Sequence, residues 1–230
     1  MTDLIIPQHI GFIVDGNRRW AKKHGIPTYE GHLAGYNALH EVALACFEAG
    51  VKYMSLYIFS TENWKRSQTE IKGLMSLILR LFTTDAKILD KNNIRVKVLG
   101  LRDGLDDKII KAMDKVVERT KNNTAGTLCV CLNYGGQREI VDAVKKIVQQ
   151  GIPPEAIDED VIAQNLYGAD VPPMDLLVRT SGEKRLSNFM LWRAAYSEFI
   201  FLNKLWPDMT KGDVTAILKE YSKRSRRFGG

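Results

Sequence analysis

Six short apolar runs punctuate this chain: Ile10 to Val14, Tyr53 to Phe59, Ile94 to Leu99, Thr127 to Leu132, Leu176 to Val178 and Phe199 to Leu202. Each has the length and composition of a buried strand. Longer segments with helical spacing lie between most of them. Alternating strand and helix predicts an α/β fold: one domain over residues 1–230, with a mainly parallel sheet of about six strands flanked by helices. No internal repeat, low-complexity tract or linker divides it. Pro153-Pro154 and Pro172-Pro173 are local breaks, too short to separate domains.

One helical segment, from about Glu70 to Lys91, is unusually apolar. Ile71, Leu74, Met75, Ile78, Leu79, Leu81, Phe82, Ile88 and Leu89 make a stripe wider than one packing seam needs. Such a stripe suits a helix buried between the sheet and a neighbour. It also suits the wall of an apolar cavity, and periodicity does not separate the two.

Composition narrows the class only a little. The 230 residues carry a net charge of +6, with charged and apolar fractions ordinary for a globular protein. That balance fits an anionic substrate, an acidic membrane surface or nucleic acid. Nucleic acid is the weakest of the three, because no basic stripe with interleaved aromatics is present. Cys46, Cys129 and Cys131 lie within apolar runs, without spacing for zinc or a disulfide framework. They read as reduced core residues of a cytoplasmic protein. No signal-like segment and no run of membrane-spanning length appears.

The chemistry gathers at predicted strand ends, where sheets of this kind bind substrates. After the first strand comes Asp15-Gly16-Asn17-Arg18-Arg19-Trp20. One carboxylate, one conformationally free glycine and two guanidinium groups share that turn. A helix beginning there aims unpaired N–H groups and a partial positive charge at an anion, phosphate above all. A carboxylate beside phosphate implies a cation between them, so the turn reads as a diphosphate site with Mg²⁺. After the second strand comes Ser60-Thr61-Glu62-Asn63-Trp64-Lys65-Arg66. After the fourth comes Asn133-Tyr134-Gly135-Gly136. After the fifth comes Arg179 to Asn188. There Arg179 and Arg185 can grip phosphate oxygens in a fork, and Ser187 adds a hydroxyl.

Among the histidines, His9 precedes the first strand and His24 closes a helix, and both are expected to be exposed. His40 reads as structural. His32, in Gly31-His32-Leu33-Ala34-Gly35, opens a helix and can face the pocket mouth. Glu198, just before the last strand, has the position of a cap or an ion-pair partner. The Walker phosphate loop, the dinucleotide-binding glycine turn, the Asp-Asp-x-x-Asp cluster of helical prenyl synthases and the nucleophile elbow are all absent.

Taken together these segments resemble the cis-prenyltransferase family, whose bacterial members are undecaprenyl diphosphate synthases. The resemblance runs from His9 to Gly230. It is carried by the His9 to Ala21 block, Gly31 to Gly35, Phe59 to Arg66 and Leu132 to Gly136. Asp175 to Glu183, Arg185 to Phe189, Trp192, Tyr196-Ser197-Glu198 and Leu205 to Asp208 complete it.

The resemblance implies repeated condensation of isopentenyl diphosphate onto an allylic diphosphate, typically farnesyl diphosphate, to give a long-chain Z-polyprenyl diphosphate such as undecaprenyl diphosphate, a lipid-carrier precursor. A shorter product, or a non-catalytic subunit role, is the alternative. It implies Mg²⁺ on Asp15 and Glu198, catalytic roles for Asp15, Asn63 and His32, and an allylic diphosphate cradled by Gly16, Asn17, Arg18, Arg19 and Trp20. Arg179, Arg185 and Ser187 would hold isopentenyl diphosphate. Ser60, Thr61, Glu62, Asn63, Trp64 and Arg66 would shape the reacting centre, with Glu70 supporting that loop. It further implies a homodimer whose Arg227 tail reaches the partner's site, and peripheral contact with a membrane. A growing chain needs an apolar tunnel, since each buried CH₂ contributes roughly 0.8 kcal/mol; that gives the stripe after Glu70 a use.

Three positions depart from the pattern of many family members: Arg18, where many bacterial members have glycine although arginine also occurs, Thr28, where many carry arginine, and Ser67, where proline is common.

Overall fold

A computed structural model describes residues 4–224. Every predicted run is a strand: β1 (His9–Ile13), β2 (Tyr53–Ser60), β3 (Ile94–Leu99), β4 (Gly126–Tyr134), β5 (Leu176–Arg179) and β6 (Glu198–Phe201). They form one sheet in the order β3-β4-β2-β1-β5-β6, and each neighbouring pair is parallel. The α-helices are α1 (Asn17–His24), α2 (Thr28–Glu48), α3 (Gln68–Thr83), α4 (Ala86–Lys91), α5 (Asp107–Thr120), α6 (Gly136–Gln149), α7 (Glu159–Asn165) and α8 (Lys211–Ser222). Alternation lapses once: residues 180–197, between β5 and β6, form turns rather than a helix.

Both faces of the sheet are covered, unequally. Ile10 and Phe12 of β1 and Leu128, Val130 and Leu132 of β4 point into the larger core, beneath α2, α3, α5 and α8. Their neighbours Ile13, Cys129 and Cys131 point to the other face, where Met174, Phe189 and Met190 from the long connections cover them. The alternation follows from the two-residue period of a strand. All three cysteines are free and buried. Burial pushes the Cys46 and Cys129 thiols up to about 12, so they are inert apolar filling.

Two expectations need correction. His9 is not exposed: it lies in β1, fully buried, with Nδ1 on the Pro172 carbonyl at 2.9 Å and Nε2 on the Ser55 hydroxyl at 2.8 Å. The segment from Glu70 to Lys91 is not one helix: α3 stops at Thr83 and α4 begins at Ala86. Asp85, at the break, is turned inward and buried, accepting a hydrogen bond from Tyr36. Ile71, Ile78, Leu81, Phe82 and Leu89 are buried as the stripe requires, whereas Ile88 is exposed. Among the described residues no helix is long and apolar enough to cross a membrane.

The strand order creates a switch point. From β1 the chain moves to β2 on one side, and from β5 it moves to β6 on the other. The crevice beyond the C-terminal ends of β1 and β5 is where such a sheet binds ligand. Asp15 and Arg179 stand at that crevice.

Candidate active site

Asp15 follows β1 and keeps its carboxylate half-buried. Its Oδ2 accepts a hydrogen bond from Nη2 of Arg179 at 2.9 Å, and Nη2 of Arg19 lies 3.7 Å away. The Thr180 hydroxyl bridges the strand ends, accepting from the Asp15 amide at 3.0 Å and donating to its carbonyl at 2.6 Å. Gly16 caps α1 with φ of 112°, a left-handed conformation that disfavours a side chain. A Cβ there would also meet Leu205 and Ser181 at 3.0–3.1 Å. The cap residue has no side chain to cover the first amides of α1, and they stay available to an anion.

Asn17 explains the spacing of Gly31 and Gly35. These residues are one turn apart on α2, and α1 lies across them. A Cβ at Gly31 would strike the Asn17 carbonyl, and one at Gly35 would strike its side-chain oxygen. The pair of glycines is a seat for Asn17.

Arg179 is almost fully buried at the end of β5. Nη1 donates to the Arg185 carbonyl at 2.6 Å and to Ser187 Oγ at 2.7 Å, while Nε is buried without an acceptor. Arg179 also lines the cavity, where a fixed guanidinium suits an anion. The loop it holds is strained: Ser181, Ser187, Asn188 and Met190 all have φ between 40° and 74°. Non-glycine residues held there by their surroundings concentrate at functional sites.

On the opposite wall His32 is buried in α2. Its Nε2 lies 3.2 Å from Glu70 Oε1, which also accepts from Arg66 at 2.9 Å. Burial lowers the His32 pKa against the raising effect of Glu70, and nearby Arg66 and Arg18 lower it further. After β2, a 3-10 turn over Thr61–Lys65 is closed by a reciprocal cap, in which the Ser60 amide donates to Asn63 Oδ1 at 3.1 Å.

These groups enclose a cavity of about 1170 Å³. Asp15, Gly16, Asn17, Arg18, Arg19, His32, Ser60, Glu62, Asn63, Arg66, Arg179 and Ser187 all line it. So do Lys22, Thr28 and Asn188. Lys22 escaped sequence reasoning, although it sits one turn from Arg18 and Arg19 on α1. Five basic side chains (Arg18, Arg19, Lys22, Arg66 and Arg179) face two acids, Asp15 and Glu62. An apolar recess of about 60 Å³ opens from the same cavity, sharing Val14, Asn17, His32, Ile58 and Leu74 with it.

Other named residues lie elsewhere. Trp20 turns away, giving its indole N–H to Asp208 at 2.7 Å. Trp64 donates to Asn133 Oδ1 at 2.8 Å and stands edge-on to Phe59. Thr61 lies against Gly135. Arg185 is exposed and paired with Glu183 at 2.5 Å. Glu198 opens β6 opposite Leu176, at the N-terminal edge of the sheet and the far end from Asp15. It pairs there with Arg224 at 2.9 Å. A single chain therefore does not bring Asp15 and Glu198 together. Arg227 lies outside the described residues. Among those residues no three His, Cys, Asp or Glu side chains converge as a metal-ligand set.

The fold and cavity define an α/β protein with a largely cationic cavity at a sheet switch point. Comparison with known proteins agrees. The "Putative undecaprenyl diphosphate synthase" family model matches residues 13–229. An isoprenyl transferase of Thermotoga maritima is 47% identical over 227 residues, covering 98% of this chain and 97% of that one. A lavandulyl diphosphate synthase from Lavandula x intermedia, solved in complex with dimethylallyl diphosphate, superposes with a TM-score of 0.93 at 32% identity, covering 97% of this chain and 98% of that one. A probable undecaprenyl diphosphate synthase from Campylobacter jejuni gives a TM-score of 0.83 at 31% identity over 100% of both chains. The chain belongs to the undecaprenyl diphosphate synthase family, whose members transfer prenyl groups.

Proposed function

We propose that this protein condenses isopentenyl diphosphate onto an allylic diphosphate and extends a Z-prenyl chain. One observation carries the reading: the Asp15–Arg179 pair stands at the switch point of a cation-lined cavity that opens into an apolar recess. The α1 amides and Arg19 take the allylic diphosphate. Arg179 and Ser187 take that of isopentenyl diphosphate. The allylic C–O bond breaks, and its electron pair leaves with the diphosphate. The isopentenyl double bond supplies the new C–C bond, and a proton is lost to form the cis double bond. Fixed guanidinium groups and amides lower the barrier because they already face the charge that develops on the leaving group. Holding the two substrates side by side removes the entropy cost of encounter.

One half-buried carboxylate among cations, without a converging ligand set, fits Mg²⁺ that arrives with the substrate. Mg²⁺ usually binds through one or two carboxylates and substrate phosphates. Asp15 would hold it, and the bound cation would neutralise charge on the departing diphosphate. Because Glu198 lies at the other edge of the sheet, a ligand role for it requires the second subunit of a homodimer. A product of undecaprenyl length would need the recess to open well beyond its 60 Å³.

The test is incorporation of labelled isopentenyl diphosphate into a butanol-extractable product. The wild type is active with Mg²⁺ and inactive in EDTA, and Asp15→Ala is inactive with an unchanged circular dichroism spectrum. Full activity in the variant or in EDTA removes the proposed site.

A further inference from the structure

Two loops furnish part of the cavity lining: the one after β2, with Ser60, Glu62 and Asn63, and the one after β5, with Ser187 and Asn188. Glu62 and Asn188 are 126 residues apart in sequence, and one hydrogen bond joins them: Asn188 Nδ2 donates to Glu62 Oε1 at 3.1 Å. The rest of Asn188 is anchored on α6. Its Oδ1 accepts from the Gln137 amide at 2.8 Å, and its carbonyl accepts from the Gly136 amide at 2.7 Å. Those are the first two residues of α6, so Asn188 satisfies donors that a helix start leaves open. Its φ of 65° is left-handed, a conformation that asparagine tolerates better than most side chains. Gly135 lies against both loops: a Cβ there would meet Asn188 Nδ2 and the Thr61 hydroxyl, each at 2.9 Å. Burial pushes the Glu62 carboxyl up, but hydrogen bonds from its own amide, Ser60, Asn188 and Thr61 outweigh it and hold the group below its ordinary range. The bridge therefore runs from an amide donor to a charged acceptor, the stronger kind of hydrogen bond.

We infer that Asn188 is a positioning residue: anchored on the start of α6, it sets the distance between the loop that carries Asn63 and the loop that carries Ser187. The inference rests on the prenyl-transfer reading of the cavity. In that reading Ser187 holds isopentenyl diphosphate, and the loop after β2 shapes the reacting centre. A strut between the two loops fixes the isopentenyl double bond against the allylic carbon, where a small displacement costs rate more than binding.

The test exchanges donor and acceptor across the bridge in the full-length chain. Initial rates with farnesyl diphosphate, labelled isopentenyl diphosphate and Mg²⁺ are compared for the wild type, Asn188→Asp and the double variant Asn188→Asp/Glu62→Gln. Asn188→Asp keeps an acceptor for the Gln137 amide but sets a second carboxylate against Glu62. Its kcat is expected to fall about a hundredfold, with the KM for isopentenyl diphosphate changed by less than about threefold. In the double variant the new glutamine amide donates to the new carboxylate, and the bridge is remade in reverse. Its kcat is expected to recover at least about tenfold over Asn188→Asp, the coupling of residues in contact. A kcat within about threefold of wild type in Asn188→Asp, a rise in KM in place of the fall in kcat, or no recovery in the double variant overturns the inference. Should Asn188→Asp fail to fold by circular dichroism, Asn188→Ser, too short to span to Glu62, is read in its place on kcat and KM with the same limits. A wild type that incorporates no label overturns the prenyl-transfer reading itself, a failure visible before any variant is made.

Discussion

Arg179 ends β5 and Asp15 follows the adjacent parallel strand β1, and the two meet through one hydrogen bond of 2.9 Å across the crevice between the strands. The same guanidinium reaches the Arg185 carbonyl and Ser187, so one side chain orders the carboxylate and the strained loop together. Lysine keeps the charge but lacks the planar fork. Arg179→Lys is expected to lower kcat/KM for isopentenyl diphosphate about ten- to a hundredfold, the loss of a charge-assisted hydrogen bond of roughly 1.5–3 kcal/mol. Steady-state kinetics at fixed allylic primer checks this. A change of less than about threefold, below what that bond predicts, would place Arg179 outside the reacting centre.

The two glycines under Asn17 should behave differently. Alanine at Gly31 meets backbone, so α1 must move as a body; alanine at Gly35 meets only the Asn17 side chain. Gly31→Ala is expected to cost about 1–3 kcal/mol of stability together with turnover. Gly35→Ala is expected to lower turnover about a hundredfold, the scale of a small misplacement of a positioning group. Its melting temperature should fall less than that of Gly31→Ala. Calorimetry and initial rates on both variants give the comparison; equal behaviour would mean that Asn17 has no seat of its own.

The strands were legible because each is a compact apolar run between polar breaks, and their ends fall within two residues of the pattern. Asp15 was legible as chemistry because a carboxylate, a glycine and arginines crowd one strand end. Contacts distant in sequence were not legible. His9 is buried by Ser55 and the Pro172 carbonyl, neither near it along the chain. Trp20 and Trp64 share motifs with cavity residues, yet Asp208 and Asn133 draw their indoles away. Glu198 follows a turn-rich connection whose course a sequence pattern does not trace, and it emerges at the opposite edge of the sheet. The break at Asp85 carries no proline or glycine, and the contact made there, with Tyr36, comes from another helix.

Behind the strained loop lies a buried ion pair. Glu139, fully buried on α6, accepts from Arg193 at 2.9 Å, from the Tyr167 amide at 3.1 Å and from the Tyr134 hydroxyl. Arg193 also donates to the carbonyls of Val171, Tyr167 and Gly168. Removing one partner leaves the other charged and unpaired out of water. Arg193→Met is expected to destabilise the fold by about 3–5 kcal/mol. Urea denaturation measures it, and a loss under about 1 kcal/mol, typical of an exposed pair, would show that the pair is not what holds this loop.

His9 predicts how the fold responds to acid. The Pro172 carbonyl can only accept, so Nδ1 carries the proton, and Nε2 accepts from the Ser55 hydroxyl. Burial lowers the pKa from 6.5 to about 4. The unfolded chain therefore binds the proton first as pH falls. The stability that His9 contributes is complete above pH 6.5 and is lost progressively down to about pH 4. Linkage puts the loss between pH 7 and pH 5 at about 2 kcal/mol. His32 and His40 are also lowered and add to the slope with the same sign. The measurement is therefore the difference between wild type and His9→Gln, each unfolded by urea at pH 7 and pH 5. The variant should start less stable and lose about 2 kcal/mol less over that interval. Parallel pH dependence in the two proteins would mean that His9 titrates in the folded chain as it does in water.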